Sequence, residues 1–310
     1  MSEKKLTRIG IVGIGDIAKK AYLPILCNIV DVEIVPCTRN VDTLKEVMSK
    51  YHLRSGMTDL NELILEKPDM IFLCSATSAH FEQAKVIIEA GIPLHIDKPV
   101  TLSYAETKIL VDLATQYETR VMVGFNRRYV PVVREIANQG IPDLIIHQKN
   151  RMHHQGDQVR RMVFDDFIHV IDTCLYLLGE PLVSFKAKST YKNGKQTMIV
   201  VDYLSEHSHA IGIMNYDNGV VEEVLEVMRH GEKKIVRQME SLETYQEDKM
   251  IIKTHSTWQP TLSKRGFDAM LNHFISSVIN DTPFDFPFEV SLRTHEVAEE
   301  IVKQCESQLK

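Results

Sequence analysis

A glycine turn near the start of the chain constrains the fold more than any other segment. Residues Ile9–Val12 are apolar, Gly13-Ile14-Gly15 follow, and Asp16-Ile17-Ala18 begin a helix-like pattern. In this order Gly13 permits a tight turn, Gly15 lets the backbone approach a pyrophosphate, and Ala18 is small enough for the helix to pack on the strand. Because free N–H groups and the positive end of the helix then face an anion, the segment predicts a dinucleotide site. The alternative is an ordinary strand–turn–helix connection.

The chain is large enough for two domains, since it has 310 residues, of which 44% are hydrophobic. Its formal net charge is −6 and it has no long basic run, which argues against nucleic acid as a partner. The five cysteines have neither metal-ligand nor redox-motif spacing, so we expect reduced, buried side chains. Without a leader-like segment or an apolar stretch of membrane-spanning length, the sequence favours a cytoplasmic protein with no membrane partner.

Strands and helices alternate over residues 1–124, and the pattern changes after that point. The strands of the first part are short and apolar, which predicts an N-terminal Rossmann domain with a doubly wound parallel sheet. Residues 125–310 combine helices, expected over 131–138, 164–178, 262–280 and 290–307, with strand-like runs between 182 and 239. They predict an α+β substrate domain with a large, mostly antiparallel open sheet and a last helix that packs back on the first domain. One face of that sheet lacks cover from its own chain, so we expect a homodimer or homotetramer.

The end of the second predicted strand indicates which nicotinamide cofactor binds. NAD enzymes of this architecture have an acidic residue there for the ribose 2′-hydroxyl, whereas this chain has Thr38 followed by Arg39. A guanidinium can bind a 2′-phosphate through two hydrogen bonds, so the pair favours NADP over NAD. Asp42 lies close by, and a surface arginine without a ligand is the alternative, so NAD stays open.

Lys98 directly follows the apolar strand expected over 93–96. It therefore lies at the edge of the sheet where doubly wound folds bind ligands. Pro99 fixes the backbone beside it. We interpret Lys98 as the group that hydrogen-bonds a substrate hydroxyl and helps to remove its proton. The alternative is a solvated loop lysine.

Asp165, His169 and Asp172 stand at positions i, i+4 and i+7 of the helix expected over 164–178. At about 100° per residue they share a stripe about 60° wide, while nearly all the rest of the circumference is apolar. Buried charges are costly unless paired, so the stripe predicts a general acid/base, His169, oriented by one of the two carboxylates. A structural His–Asp network is the alternative. A metal site is disfavoured because no third ligand is near.

Three further features are weaker candidates. Arg127 and Arg128 follow the last Rossmann strand, where one of them could bind a ligand or form a salt bridge between domains. The segment 153–161, rich in histidine and arginine, is expected to be a loop that gates a pocket, binds an anionic substrate or is simply solvated. Trp258, the only tryptophan, is expected in the core.

Taken together, these segments resemble the Gfo/Idh/MocA oxidoreductases over essentially the full chain. The resemblance is carried by Gly13–Ala18, Cys74-Ser75-Ala76-Thr77 with His80, Asp97-Lys98-Pro99, Gly124-Phe125-Asn126-Arg127-Arg128, and the Asp165, His169, Asp172 spacing. The stretches Asp165–Asp172 and Trp258–Phe267 look most like the MviM-like oxidoreductases. Two residues depart from the family pattern, Asp97 in place of Glu and Ala76 in place of Pro, and neither removes a reacting group.

The resemblance implies a catalytic lysine, aspartate and histidine, which by motif fall on Lys98, Asp165 and His169. Asp172 and Arg127 are then expected at the substrate. The residues expected at the cofactor are Gly13, Gly15, Asp16, Ile17, Thr38, Arg39, Ser75, Thr77, His80, Asp97, Lys98 and Pro99.

We therefore expect an NAD(P)-dependent oxidoreductase that transfers a hydride between nicotinamide and a polyhydroxylated small molecule such as a sugar, a cyclitol or a derivative. Lys98 and His169 are expected to act on one substrate oxygen, and which of them accepts the proton stays open. Two other functions are compatible with these residues. One is a non-catalytic NAD(P)-binding sensor or regulator, and the other is a hydrolase or lyase that uses bound cofactor as a transient redox partner.

Overall fold

The structure, a computed structural model, describes residues 6–156 and 158–309. The chain divides into two compact units. The first contains the chain up to Gly124 together with Asp268–Leu292, and the second contains Phe125–Phe267 and the chain from Arg293 onward. A parallel Rossmann sheet in the first and a large, mostly antiparallel sheet in the second confirm the predicted fold class.

The first unit is built on five parallel strands in the order β2-β1-β3-β4-β5. The strands are β1 (Thr7–Val12), β2 (Val32–Cys37), β3 (Met70–Leu73), β4 (Leu94–Ile96) and β5 (Val121–Val123). The helices are α1 (Leu23–Leu26), α2 (Val41–Tyr51), α3 (Leu60–Leu65), α4 (Thr77–Glu89) and α5 (Tyr104–Gln116), and a π-helical segment, Ala18–Tyr22, precedes α1. The strand order reverses between β1 and β3, and ligands bind at the carboxyl ends of the strands at such a point.

The second unit is built on an eight-stranded sheet in the order β13-β12-β11-β10-β6-β9-β8-β7. Its strands are β6 (Leu144–Asn150), β7 (Leu182–Lys192), β8 (Lys195–Ser205), β9 (His209–Asn215), β10 (Glu222–Arg229), β11 (Glu232–Arg237), β12 (Ser241–Gln246) and β13 (Lys249–Thr254). All neighbours are antiparallel except β6 and β9, which are parallel. Its helices are α6 (Pro131–Ala137), α7 (Val159–Met162), α8 (Ile168–Leu178) and α9 (Thr261–Lys264). From Asp268 onward α10 (Phe267–Ile279) belongs to the first unit, and α11 (Phe288–Ser307) belongs to the first unit up to Leu292 and to the second from Arg293.

Helix α8 packs against the sheet of the second unit and carries the predicted histidine. A Cβ on Gly212 of β9 would lie 3.0 Å from Val170 Cγ1, so the small residue allows this close packing. The helix ends at Gly179, which has φ +66° and forms a left-handed C-cap. Helix α8 is thus a rigid support for His169, which is its second residue.

The structure differs from the sequence predictions at several places. The helix expected over 164–178 is interrupted by a π-helical turn, Val163–Phe167, and only α8 follows it as a regular helix. The helix expected over 262–280 breaks at Gly266, which has φ +79° and whose Cβ would lie 2.5 Å from the Asn126 carbonyl oxygen. The sequence patterns missed α3, β12 and β13, and α7 lies where a loop was expected around Arg160 and Arg161. Trp258, expected in the core, is 92% exposed.

Four of the five cysteines are buried and Cys27 is partly buried, and all five are free thiols. Within the part of the chain that the structure describes, no helix is both long and apolar enough to cross a membrane.

Candidate functional site

The glycine turn lies at the carboxyl end of β1, beside the loop that follows β3. Gly13 has φ +85°, and a Cβ there would lie 2.3 Å from Ser75 Cα, so both the conformation and the space require glycine. A Cβ on Gly15 would meet nothing within 4 Å. Helical residues begin at Asp16, and Ala18 is fully buried. Open space in front of backbone N–H groups at a helix start fits a pyrophosphate.

The end of β2 places the two residues interpreted as selective for the cofactor. The Thr38 backbone N–H donates to the Met57 carbonyl at 3.0 Å, which fixes the turn. Arg39 is exposed and has no hydrogen bond or ion pair with any residue that the structure describes. Its guanidinium can therefore bind an anionic ligand. Asp16, also expected at the cofactor, pairs with Lys20 at 2.9 Å, and the neighbouring Ile17 is half-buried.

The loop after β4 carries Asp97, Lys98 and Pro99. Tyr22 Oη donates to Asp97 Oδ1 at 2.8 Å. Burial raises the pKa of Asp97, and the Lys98 ammonium acts in the opposite direction. A Cβ on Gly124 would lie 2.9 Å from Tyr22 Oη and 3.2 Å from Asp97 Oδ1, so glycine leaves room for this pair. The Asp97 carboxylate thus has a partner within the first unit, and half-buried Lys98 follows it at the edge of the sheet.

His80, on α4, joins the loops that follow β3 and β4. Its Nε2 lies 3.0 Å from the Ser75 carbonyl oxygen and its Nδ1 lies 3.1 Å from the Pro99 carbonyl oxygen. Ser75 Oγ in turn donates to Gln83 Oε1 at 2.6 Å, and Thr77 is the first residue of α4. His80 was expected to bind the cofactor, but its ring is buried and both nitrogens contact backbone, so it positions the two loops.

The π-helical turn separates the two neighbouring carboxylates of the second unit. Asp165 lies on the outer side, where it pairs with Arg161 at 3.1 Å and its side chain is 40% exposed. Asp166 points inward and is buried. Asp165, His169 and Asp172 therefore do not form one buried stripe, because an i→i+5 turn adds a residue between Asp165 and His169.

The Nδ1 atom of His169 lies beside an arginine. Arg127 Nη1 lies 2.9 Å from His169 Nδ1. The same guanidinium forms two hydrogen bonds with Glu223, from Nε at 2.6 Å and from Nη2 at 2.8 Å. His147 Nε2 lies 3.2 Å from the Glu223 carboxylate. These four side chains form a continuous polar chain between β6, β10 and α8.

Asp172 has partners other than His169. Arg128 donates to both of its carboxylate oxygens, at 3.0 and 2.5 Å, and Thr294 Oγ1 donates to Oδ1 at 3.0 Å. The side chains of Arg128 and Asp172 are 3% and 1% exposed. Asp172 was expected to bind substrate or orient His169, whereas this geometry makes it one half of a buried ion pair that fixes α8.

A second buried cluster lies on β6 next to the π-helical turn. Lys149 donates to the carbonyl and to the carboxylate of Asp166, and Arg151 binds that carboxylate through two hydrogen bonds at 3.1 Å. Burial, together with the nearby Arg127 cation, lowers the pKa of Lys149 to about 8. Burial alone raises the pKa of Asp166, but the Lys149 and Arg151 cations outweigh it and hold the pKa well below its usual range.

A cavity of about 500 Å³ opens beside this cluster, and its described lining residues belong to the second unit. Seven of its nine described lining residues have polar side chains, and the full lining is His153, His154, Gln155, Gly156, Gln158, Arg161, Met162, Asp165 and Asp166. Of the residues expected in a pocket loop, His153, His154 and Arg161 thus line a cavity together with Asp165. Arg160 faces elsewhere and pairs with Glu299 at 2.7 Å. Among the described residues, no group of three His, Cys, Asp or Glu side chains could hold a metal ion.

Sequence reasoning missed Glu223, Lys149 and Asp166. One signal was available for Lys149, because Ile145, His147 and Lys149 are alternate residues of one strand and therefore share one face, which is buried. Glu223 gave no local signal, since its partner Arg127 is 96 positions away in the sequence.

Two family models match the chain. The model described as an oxidoreductase family with an NAD-binding Rossmann fold matches residues 7–125. The model described as the YceM-like C-terminal domain matches residues 129–247.

Curated relatives and solved structures agree with these matches. YceM of Salmonella typhimurium is 28% identical over 97% of this chain and 99% of its own length. D-glucoside 3-dehydrogenase of Escherichia coli is 25% identical over 61% of this chain and 59% of its own length. A Gfo/Idh/MocA family oxidoreductase from Vibrio cholerae superposes with a TM-score of 0.92, at 27% identity, over 98% of this chain and 99% of that one. The dehydrogenase MviM from Clostridium difficile gives a TM-score of 0.90, at 27% identity, over 96% and 99%.

Proposed function

Because the chain belongs to the Gfo/Idh/MocA family of NAD(P)-dependent oxidoreductases, we propose that its substrate is a polyhydroxylated small molecule, a sugar, a cyclitol or a derivative. The family membership supports hydride transfer to or from nicotinamide. The cavity of the second unit supports a substrate rich in hydroxyl groups, since its imidazole, amide and carboxylate groups can each donate or accept hydrogen bonds. D-glucoside 3-dehydrogenase, a similar protein, is named for a substrate of this class.

The proposed cofactor is NADP in preference to NAD. One observation carries the cofactor assignment: Gly13 and Gly15, Ser75 and Lys98 all follow strands at the switch point of the parallel sheet. The residues fit a dinucleotide, because Gly15 leaves space for the pyrophosphate. Exposed Arg39 supports NADP, because its guanidinium is free to bind a 2′-phosphate.

Lys98 and His169 are proposed to act on the reacting oxygen of the substrate. The nicotinamide, when bound, accepts or supplies the hydride. Lys98 and His169 hold the oxygen and manage its proton, and one of them accepts that proton in the oxidative direction. Asp165 is proposed to bind neighbouring hydroxyl groups, since it lines the cavity and is partly exposed. Arg127 positions His169 through its contact with Nδ1, and Asp172 fixes α8 through its ion pair with Arg128.

Titration and turnover assays test this proposal. NADPH and NADH are titrated by fluorescence, and a panel of sugars and cyclitols is screened with the oxidised cofactor by the absorbance of reduced nicotinamide. With an active substrate, Lys98→Met and His169→Ala should abolish turnover while cofactor affinity changes little. The double variant should lose little more than either single one, because residues that act as a unit are not additive.

Lys108→Met is the matched control for Lys98→Met. Lys108 is an exposed lysine of the same unit, paired with Asp112 at 2.7 Å, so its loss should leave turnover unchanged. If neither NADPH nor NADH binds, the cofactor assignment is wrong. Tightly retained nucleotide with bond cleavage but no net reduction indicates the hydrolase or lyase function instead.

The protein is further proposed to form a homodimer or homotetramer. The strand β13 exposes Met250, Ile251 and Ile252, each more than half accessible, at the edge of the large sheet. An exposed apolar edge strand pairs readily with another chain. Light scattering at micromolar concentration tests this, and a monomer contradicts it.

A further inference from the structure

The contacts of His169 determine which of its ring nitrogens carries the proton. Arg127 Nη1 lies 2.9 Å from His169 Nδ1. A guanidinium has only donors and keeps its charge in proteins, so Arg127 donates in this contact and Nδ1 accepts. A neutral imidazole has one donor and one acceptor nitrogen. With Nδ1 as the acceptor, the proton lies on Nε2.

Arg127 is held in this orientation by the rest of its guanidinium. Nε and Nη2 bind the two carboxylate oxygens of Glu223 at 2.6 and 2.8 Å, and the side chains of Arg127 and Glu223 are 14% and 12% exposed. Asn126 Oδ1 accepts a further bond from Nη1 at 3.2 Å. A planar, two-point ion pair fixes the guanidinium plane, which leaves Nη1 directed at the imidazole.

Glu223 is itself fixed and ionised. Burial alone raises the pKa of Glu223, but the Arg127 guanidinium outweighs it and holds the pKa well below its usual range. His147 Nε2 lies 3.2 Å from Oε1. The pairing of β10 with β6 places Glu223 opposite Lys149, within a regular ladder. The support for His169 therefore runs through a hydrogen-bonded sheet rather than through a mobile loop.

We propose that the Glu223–Arg127 ion pair fixes His169 in the tautomer with its proton on Nε2, so that Nε2 acts as a hydrogen-bond donor. Arg127 and Glu223 are positioning residues in this scheme. The consequence for catalysis rests on the proposed function, in which His169 meets the reacting oxygen.

The tautomer decides how the proton moves in the oxidative direction. A neutral His169 with Nε2–H can stabilise charge on the substrate oxygen but cannot take its proton at that nitrogen. The substrate O–H proton then passes to the neutral amine of Lys98, forming an Nζ–H bond. The adjacent C–H bond gives its hydride to the oxidised nicotinamide, and a carbonyl remains. In the reductive direction the same atoms move in reverse.

Nitrogen NMR of the substrate-free protein tests the tautomer without any substrate. The protein is labelled with ¹⁵N-histidine, and the His169 signals are assigned by their loss in His169→Gln. Wild type should show a protonated Nε2 and an unprotonated Nδ1. Arg127→Met should lose this pattern, whereas Arg127→Lys, which can still donate, should keep it. Glu223→Gln provides a second variant with a milder change if Arg127→Met does not fold, and it should populate both tautomers.

Glu222→Gln is the matched control, because Glu222 precedes Glu223 on β10 and binds Asn150 at 2.8 Å instead. It should keep the wild-type pattern. A proton on Nδ1 in the wild type, or protons on both nitrogens at neutral pH, overturns the inference. An unchanged Nε2 tautomer in folded Arg127→Met also overturns it. None of these outcomes depends on turnover, so failure to find an oxidoreductase substrate is distinguished from failure of the tautomer assignment.

Discussion

Replacing Asp172 with alanine tests whether this carboxylate stabilises the second unit or binds substrate. The wild-type side chain accepts two hydrogen bonds from Arg128 and one from Thr294, and Arg128 also stacks on the Phe125 ring at 5.1 Å. Because Arg128 is 3% exposed, the variant removes the Asp172 carboxylate from a buried guanidinium. Removing one partner of a buried ion pair costs about 3–5 kcal/mol.

That loss converts to a fall in melting temperature of roughly 6–20 °C, taking about 2–4 °C per kcal/mol for a unit of this size. Asp165→Ala is the matched control, since its ion pair with Arg161 is exposed and should contribute less than about 1 kcal/mol. The double variant Arg128→Met with Asp172→Leu should recover much of the stability, because it removes both buried charges together.

Calorimetry and urea unfolding followed by circular dichroism measure these effects. The lone Trp258 is exposed and reports poorly on the core, so fluorescence is not the method of choice. If Asp172→Ala unfolds within about 1 kcal/mol of the wild type and mainly raises KM, the carboxylate binds substrate and the structural role is wrong.

Three other predictions concern the cofactor site and the buried lysine. Gly13→Ala should lower the free energy of unfolding by more than about 1–2 kcal/mol, because Gly13 has a positive φ and its Cβ would contact Ser75. Gly15→Ala should stay folded and weaken NADPH binding. If the two variants have equal effects on the melting temperature and on the Kd for NADPH, this prediction is wrong. Arg39→Ala should raise the Kd for NADPH about tenfold and leave that for NADH unchanged, with exposed Arg54→Ala as control; an unchanged NADPH/NADH ratio removes the basis for NADP preference. The folded pKa of Lys149 is lowered to about 8 from 10.5, so the folded state releases this proton first and the free energy of unfolding gains from Lys149 as pH rises between those values. Urea unfolding at pH 7 and 9.5 should show a smaller gain in the free energy of unfolding for Lys149→Met than for the wild type. If the free energy of unfolding changes equally with pH in both proteins, the prediction is wrong.

The first unit could be predicted almost entirely from the sequence, because its signals are local. A strand, a glycine turn and a helix follow each other within ten residues, and the requirement for Gly13 comes from its own φ as much as from Ser75. The role of His80 was missed because it depends on carbonyl groups of two loops, and a carbonyl group has no sequence signature.

The charged network of the second unit could not be predicted, because its partners are distant in sequence. Arg127 and Glu223 are 96 positions apart, and Arg128 and Asp172 are 44 apart. The sequence showed charged residues on a buried helix, which need partners. The nearest partners in the sequence were on the same helix, so the histidine was predicted to pair with a carboxylate there. The folded chain instead supplies arginines from the 3₁₀ turn Asn126–Tyr129. Cations from outside the helix satisfy the carboxylates and contact the imidazole.

The π-helical turn explains which carboxylate reaches the cavity. A helical-wheel argument assumes about 100° per residue throughout, and one i→i+5 turn adds a residue, which rotates the preceding side chains by about that angle. Asp166 consequently takes the inward position, where Lys149 and Arg151 neutralise it. Asp165 is turned outward to the cavity wall and retains accessible oxygens. A single extra residue in the turn thus separates a structural carboxylate, Asp166, from Asp165, which can bind a ligand. The role that the family motif assigns to Asp165 therefore fits the structure, although the helical pattern did not predict its position.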